Sequence, residues 1–439
     1  MVRRVTARPP LRRFRLRNGL HVVLAPQPAS PTASVWVWYR VGSKNEWPGV
    51  TGASHWIEHM VFEGSPRYGK GEMDRAIVRV GGSLNAFTDT DYTVYFSTVP
   101  REHLAVPLDI ESDRMTRALL LDGEVERERT IIHSEREGNE NWPEFRVEEE
   151  LLQLGFRVHP YRWDALGSRA DIERLTPQEL RDYYHRFYGP RNAVLVVAGG
   201  FAPVAAERTI RGRFSRLASA GDDVTVHVRE PEPHGERRAE LGGPGTTPYL
   251  QVAWRGPALR DPGTPSTLVL DAVLGGAVPL FAPGFRSRGP GEHPSSRLHR
   301  ALIDPGLAVR AGTSWQPREY PSLFGIYALA APGTRLDRLE ERIDSVVAGL
   351  CRAGPTPTEI EDVRARIRRG AALVYEGASH TGYRLGYFAT VARPEYEDEL
   401  LRALLRVRAA DVRERARALF RNDARLVVRY TPTDGGVDG

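Results

Sequence analysis

The sequence predicts an α+β protein of two homologous domains, each an antiparallel-rich sheet packed by helices, arising from internal duplication. Three observations lead there. A chain of 439 residues is too long for one ordinary hydrophobic core. Near residues 218–240 a polar stretch with Pro231 and Pro233 interrupts the alternation of strands and helices, which marks a linker between residues 1–225 and 235–439. The two halves also end alike. PQELRDYYHRF, from Pro177 to Phe187, precedes RNAVLVV, and ADVRERARALF, from Ala410 to Phe420, precedes NDARLVV. A helix closing on Phe, a short turn and an apolar strand recur in matched order, which favours duplication over coincidence.

The elements follow in order. Phe14 to Leu24 (FRLRNGLHVVL) reads as two strand pieces around an Asn-Gly turn, and Ser34 to Val41 (SVWVWYRV) is a strand. Gly52 to Phe62 and Asp74 to Val80 are helical, and Leu84 to Val99 holds strand material rich in Thr, Tyr, Phe and Val. Helices return over Arg101–Leu121 and Gly123–Glu140. Another spans Thr176–Phe187, with Thr176 as N-cap and Pro177 at its first position. The strand Ala193–Ala198 closes this half. Beyond the linker, Leu250–Trp254 and Leu323–Ala331 read as strands, and Ser266–Leu274 and Arg335–Leu350 as helices.

Composition excludes several classes. Hydrophobic residues at 41% and charged residues at 27% give a globular balance. The 61 basic and 56 acidic residues leave a net charge of only +5, and no phosphate-binding stripe is visible, so nucleic acid is not an expected partner. No apolar run is long enough to span a membrane. The lone Cys351 excludes an internal disulfide framework and fits a reducing compartment. Folded structure is expected from about residue 11, leaving little chain for an Arg-rich presequence, and no secretory apolar segment is present. The expected location is the cytoplasm.

The chemistry concentrates in Gly52-Ala-Ser-His55-Trp-Ile-Glu58-His59-Met-Val-Phe62. On a helix, positions i, i+3 and i+4 share one face, so His55, Glu58 and His59 point the same way. Two imidazoles so placed can both reach one Zn²⁺, with Glu58 beside them as a general base for water. Apolar Trp56, Ile57, Met60 and Val61 surround the three, so these polar groups sit on a buried element and need partners. A third ligand is sought among later carboxylates, where Glu126, Glu128, Glu135, Glu137 and Glu140 crowd one helix. His133 sits two residues from Glu135, roughly 200° around that helix, and reads as a solvated side chain.

H-x-x-E-H is the inverzincin signature, and the chain resembles the pitrilysin/insulinase family, in particular the branch of mitochondrial processing peptidase and its bacterial relatives. In that family the third ligand is the last Glu of E-R-x-x-x-x-x-E. Here Glu128-Arg129 to Glu135 match it, with Glu135 76 residues after His59. The resemblance therefore implies one Zn²⁺ per chain on His55, His59 and Glu135, with Glu58 as base and Glu128 as a supporting catalytic carboxylate. It also implies that GGSLNAFT, from Gly81 to Thr88, is an edge strand along which a peptide substrate extends, contacted by Asn85 and the backbone of Ala86. From composition alone, the same stretch is an ordinary glycine turn into a strand. The implied activity is a zinc endopeptidase acting on unfolded peptides or presequence-like segments, with the second domain closing a substrate cavity.

The resemblance bears on partners too. Single-chain and homodimeric members carry an Arg and a Tyr in the second domain, which hold substrate and stabilise the oxyanion. The matching stretch here, Ser296 to Val309, has Leu302 and Val309 at those positions. It implies a heterodimer with a homologous chain that lacks the metal motif and supplies the Arg/Tyr pair. A homodimer is the alternative, and Arg297 or Arg300 are the candidates to replace the missing Arg. The Gly/Pro-rich run before it, residues 275–294, reads as a remodelled loop. The rival function is a non-catalytic scaffold subunit of a peptidase or respiratory-type complex, although such members usually lack part of the metal motif.

Overall fold

The computed structural model describes residues 11–276, 293–373 and 376–433, so most of the predicted 275–294 loop lies outside the described residues. Two sheets organise the chain. The first holds β1 (Arg12–Arg15), β2 (His21–Pro26), β3 (Thr32–Tyr39), β4 (Ser83–Thr88), β5 (Thr93–Pro100) and β6 (Ala193–Gly199), in the order β1-β2-β6-β3-β5-β4. The second holds β7 (Arg237–Gly243), β8 (Tyr249–Arg255), β9 (Ala308–Ser314), β10 (Leu323–Ala330) and β11 (Leu426–Pro432), in the order β7-β11-β8-β10-β9.

Apart from β1, the two orders are one topology used twice. In each sheet the first strand in sequence pairs parallel with the last, β2 with β6 and β7 with β11, and every other pairing is antiparallel. This is the expected antiparallel-rich α+β fold, mixed by one parallel pair per sheet. The strands nearest each sheet's centre are apolar on both faces because helices cover them; β6, AVLVVAG, is buried throughout.

The helices repeat as well. Between β3 and β4 lie α1 (Ala53–Met60) and α2 (Glu72–Arg79), and five helices then separate β5 from β6. These are α3 (Ala105–Arg117), α4 (Asp122–Glu140), α5 (Pro143–Gly155), α6 (Arg169–Arg174) and α7 (Pro177–Phe187). After β6 come α8 (Pro203–Phe214) and, beyond β8, α9 (Thr264–Leu274). Five helices again separate β10 from β11: α10 (Leu336–Ala353), α11 (Pro357–Leu373), α12 (Ala378–Val391), α13 (Tyr396–Leu404) and α14 (Ala409–Leu419).

The compact units cut across the expected 1–225/235–439 division. One unit comprises the chain up to Arg136, Trp163–Val228 and Ala372–Pro394; the other comprises Glu137–Arg162, Arg229–Ala371 and Glu395 onward. The third of the five helices is the reason in both halves. In the first unit α12 lies on β3 and β6, where Gly382 and Gly386, four residues apart on one face, let the helix backbone approach the indoles of Trp36 and Trp38. Any Cβ at either glycine would strike those rings. In the second unit α5 lies on β11 and β8, joining Val147 and Leu151 to Tyr249, Val428 and Tyr430. Among the described residues, no helix is long and apolar enough to cross a membrane.

Candidate metal centre

The helix α1 is fixed at its start by backbone capping. Gly52 takes φ +90°, a left-handed conformation, and a Cβ there would lie 2.7 Å from the Leu166 carbonyl oxygen, so glycine is required. The first N–H groups of a helix lack intrahelical partners. Here the Glu46 carboxylate accepts from the backbone N–H of Gly52 and of Ser54, each at 2.8 Å. Burial pushes Glu46 up to about 7, with those backbone hydrogen bonds pulling the other way. The far end is held by the Tyr95 hydroxyl, which donates to the Ile57 carbonyl at 3.3 Å. Trp56, Ile57 and Met60 bury their full side chains, which aims the opposite edge of the helix at α4.

The helix α4 supplies the carboxylates. Arg129 sets its rotation, donating to the carbonyls of Ile172 and Leu175 around the C-terminus of α6 while its guanidinium lies 4.7 Å from the Trp56 ring of α1. With the helix so placed, Glu128 and Glu135, two turns apart, face α1. Glu128 Oε1 lies 2.7 Å from His59 Nδ1. Glu135 Oε2 lies 3.6 Å from His55 Nε2 and 3.7 Å from His59 Nε2.

These three residues fit a metal ion. Donors about 2.1 Å from one tetrahedral centre stand about 3.4 Å apart, and the donor atoms of His55, His59 and Glu135 all lie within 4.8 Å of one another. Among the described residues this is the one such group of His, Cys, Asp and Glu. Two imidazoles and one carboxylate leave a fourth position open, unlike the closed Cys/His sets of structural zinc sites. His133 is half-buried on α4 and stands outside the donor group.

Glu58 completes the cluster without joining the donor group. It is buried, and its Oε2 accepts a hydrogen bond from the Thr88 hydroxyl at 2.6 Å. Burial pushes its carboxyl up to about 7, opposed by the Thr88 hydrogen bond and by His59. For His59, burial lowers the pKa, but the hydrogen bond to Glu128 and the charges of Glu58, Glu128 and Glu135 outweigh it and leave it raised.

Asn85 and Ala86 lie on β4, the outermost strand of the first sheet, which pairs with β5 and packs against α1. Asn85 is exposed, Ala86 is buried, and the Ala86 N–H donates to Asn85 Oδ1 at 2.8 Å. In the second unit Leu302 is fully buried in a helical turn at His299–Ile303, and Val309 is exposed on β9. Arg297 donates to both oxygens of Glu359 and Arg300 to one of them, so both guanidinium groups are committed to the same carboxylate. Sequence reasoning did not single out Glu46, Thr88 or Arg129. Arg129 carried a signal in its place beside Glu128 in the acidic motif, and Thr88 only as the end of the GGSLNAFT stretch.

A duplicated sheet-and-helix fold with H-x-x-E-H on one helix and a carboxylate from a second defines a metallopeptidase-type domain pair. Comparison with known proteins agrees. The sequence model described as Insulinase (Peptidase family M16) matches residues 21–168, and that of the Peptidase M16 inactive domain matches residues 174–367. The uncharacterized zinc protease YmxG of Bacillus subtilis is 26% identical over 95% of this chain and 98% of its own. The mitochondrial-processing peptidase subunit beta of Lentinula edodes is 26% identical over 84% of this chain and 79% of its own. The crystal structure of a protease from Helicobacter pylori superposes with a TM-score of 0.90 at 22% identity, over 97% of this chain and 100% of that one, a likeness of fold. The chain belongs to the insulinase (M16) family, whose relatives are named zinc proteases.

Proposed function

We propose that this chain is a zinc endopeptidase that hydrolyses unfolded or leader-like peptides, in the manner of the processing-peptidase branch, with one Zn²⁺ on His55, His59 and Glu135. The observation that carries the reading is Glu58, a buried carboxylate outside the donor trio yet on the same helical face as both histidines. The metal supplies Lewis acidity for attack by water on a carbonyl. Glu58 takes the proton from that water and delivers it to the leaving amine. Glu128 holds His59 in the orientation that keeps Nε2 towards Glu135. The outer edge of β4 receives the peptide backbone by strand addition, with the Asn85 side chain swinging off the Ala86 N–H to admit a substrate carbonyl.

The oxyanion donors come from a second, different chain in this reading. Leu302 and Val309 have no side-chain donor, and Arg297 and Arg300 are held by Glu359. A second copy of this chain would bring the same residues, so a homologue supplying an Arg/Tyr pair is the better partner.

The test is hydrolysis of a quenched peptide mixture by the parent and Glu58→Gln, with and without chelator, alongside zinc analysis. Activity lost on chelation, and lost in the variant while zinc is retained, is expected. A zinc-loaded parent that cuts nothing, alone or beside a homologue carrying the Arg/Tyr pair, would reject the enzyme reading in favour of a scaffold, and a variant as active as the parent would reject Glu58 as the base.

A further inference from the structure

Thr88 is the last residue of β4, and its place there is well fixed. It pairs with Thr93 in the terminal rung of the β4–β5 ladder, and the Thr93 hydroxyl donates to the Val41 carbonyl at 2.9 Å. Strand alternation puts Thr88 on the face of Leu84 and Ala86. That face meets the helices: Ala86 belongs to the core that contains Trp56, Ile57 and Met60. A branched Cβ limits Thr88 to few rotamers, so the hydroxyl is delivered to one point in space. At that point it donates to Glu58 Oε2, 2.6 Å away.

The consequence is a choice between the two oxygens of Glu58. Oε2 is held by Thr88, and among the described residues Oε1 makes no hydrogen bond, so Oε1 is the oxygen presented to water. A glutamate has three side-chain torsions, and burial alone does not select one. Ile57 and Met60, one and two residues away on α1, turn to other faces of the helix and do not aim its carboxyl plane. The Thr88 hydroxyl is the group that aims it.

We propose that Thr88 is a positioning residue for hydrolysis, acting through Glu58 to fix the orientation in which the base meets the attacking water. The proposal rests on the reading of Glu58 as general base. It places the effect on turnover, because Thr88 needs no contact with substrate or metal to exert it. A misplaced base costs about 10- to 100-fold when the reacting groups are displaced by the order of an ångström.

The experiment compares the zinc-loaded parent with Thr88→Val, which keeps the shape and removes the hydroxyl, and Thr88→Ser, which keeps the hydroxyl. Steady-state kinetics, zinc affinity and thermal midpoint are measured for all three, and crystal structures of the zinc-loaded parent and Thr88→Val are determined. The valine variant should lose about 10- to 100-fold in kcat with KM within about threefold of the parent. Its zinc affinity and thermal midpoint should be unchanged, and its Glu58 carboxyl should leave the parent orientation. The serine variant should recover kcat to within about threefold of the parent. A valine variant with full kcat overturns the proposal. So do equal losses in valine and serine, which would indicate packing, or a parallel fall in zinc affinity, which would indicate the metal site. A zinc-loaded parent without activity, alone and with a homologue carrying the Arg/Tyr pair, would sink the hydrolytic reading instead. In that case the orientation of Glu58 in the two crystal structures still decides Thr88: a changed orientation upholds its positioning role and an unchanged one overturns it.

Discussion

Glu128 Oε1 stands 2.7 Å from Nδ1 of His59, and the other nitrogen of the same ring faces Glu135. An ionised carboxylate only accepts, so Nδ1 carries the proton and Nε2 keeps its lone pair for a metal. One carboxylate on α4 therefore sets the tautomer of a ring on α1, while a second carboxylate two turns later joins that ring in the donor group.

Replacing Glu128 by Gln should weaken zinc binding by about 10- to 100-fold, the usual cost of losing the partner that orients a ligating histidine. Competition with a chromophoric chelator measures it directly. His133→Ala, on the same helix but outside the donor group, should leave the affinity unchanged. Equal weakening in both variants would mean that general damage to α4 is responsible.

Arg129 links three helices, through carbonyls at the end of α6 and the ring of Trp56. Arg129→Lys should fail to substitute, because an ammonium lacks the planar fork that reaches two carbonyls while stacking on an indole. The expected result is a fall in stability of about 1–3 kcal/mol together with weaker zinc binding. Calorimetry and the same chelator competition read the two effects. A lysine variant indistinguishable from the parent would show that α4 is oriented by packing alone.

The parts of this molecule that were legible in sequence are those decided within a few residues. The Thr176 cap is one, with its side chain accepting from Glu179 N–H and Glu179 reaching back, a box that local geometry dictates. His55, Glu58 and His59 are another, since one helical turn places all three. The exchanged helices were not legible: α5 and α12 each look like ordinary amphipathic or apolar helices, and nothing in the adjacent sequence says which sheet they cover. β7 and β9 were missed because RRAELGG and AVRAGTS carry too few β-branched or aromatic residues to read as strands. Thr88 was invisible as a functional residue for a different reason. A threonine at a strand end is unremarkable until the fold brings its hydroxyl to the Glu58 carboxylate on the helix packed against that strand.

Asp271, in the second unit, provides a separate test of pH dependence. It is fully buried in α9 among Leu270, Val273 and Leu274, and burial pushes its carboxyl up to about 7, with the Thr313 hydroxyl pulling the other way. Between the unfolded value near 3.8 and this folded value, the folded chain keeps a proton that the unfolded chain has released. Stability from this group is thus fully present below 3.8 and is lost as pH rises through 7. Asp271→Asn removes the titration while preserving shape. Its stability advantage over the parent should grow by on the order of 2 kcal/mol between pH 5 and pH 8. Parallel pH–stability curves for parent and variant would contradict the assignment.

The last prediction concerns the partner. Losing one oxyanion donor typically costs about 10²–10³ in turnover, and in the proposed reading Leu302 and Val309 stand where an Arg and a Tyr would supply such donors. The structure separates them. Leu302 is fully buried, so Leu302→Arg would put an unpaired cation into a core and cost several kcal/mol. Val309 is 51% exposed, so Val309→Tyr should fold normally. The missing Arg therefore cannot be restored in place, and Arg297 and Arg300 remain bound to Glu359. The purified zinc-loaded chain should turn over peptides slowly. Val309→Tyr should leave it slow, because half of the pair is still absent. A homologous chain from the same genome, lacking H-x-x-E-H but carrying the Arg/Tyr pair, should raise kcat by about 10²-fold or more. It should co-elute with this chain in size-exclusion chromatography. Full turnover by the isolated chain, unchanged on adding any such homologue, would show that this chain supplies its own oxyanion donors and that Leu302 and Val309 do not occupy the positions assigned to them.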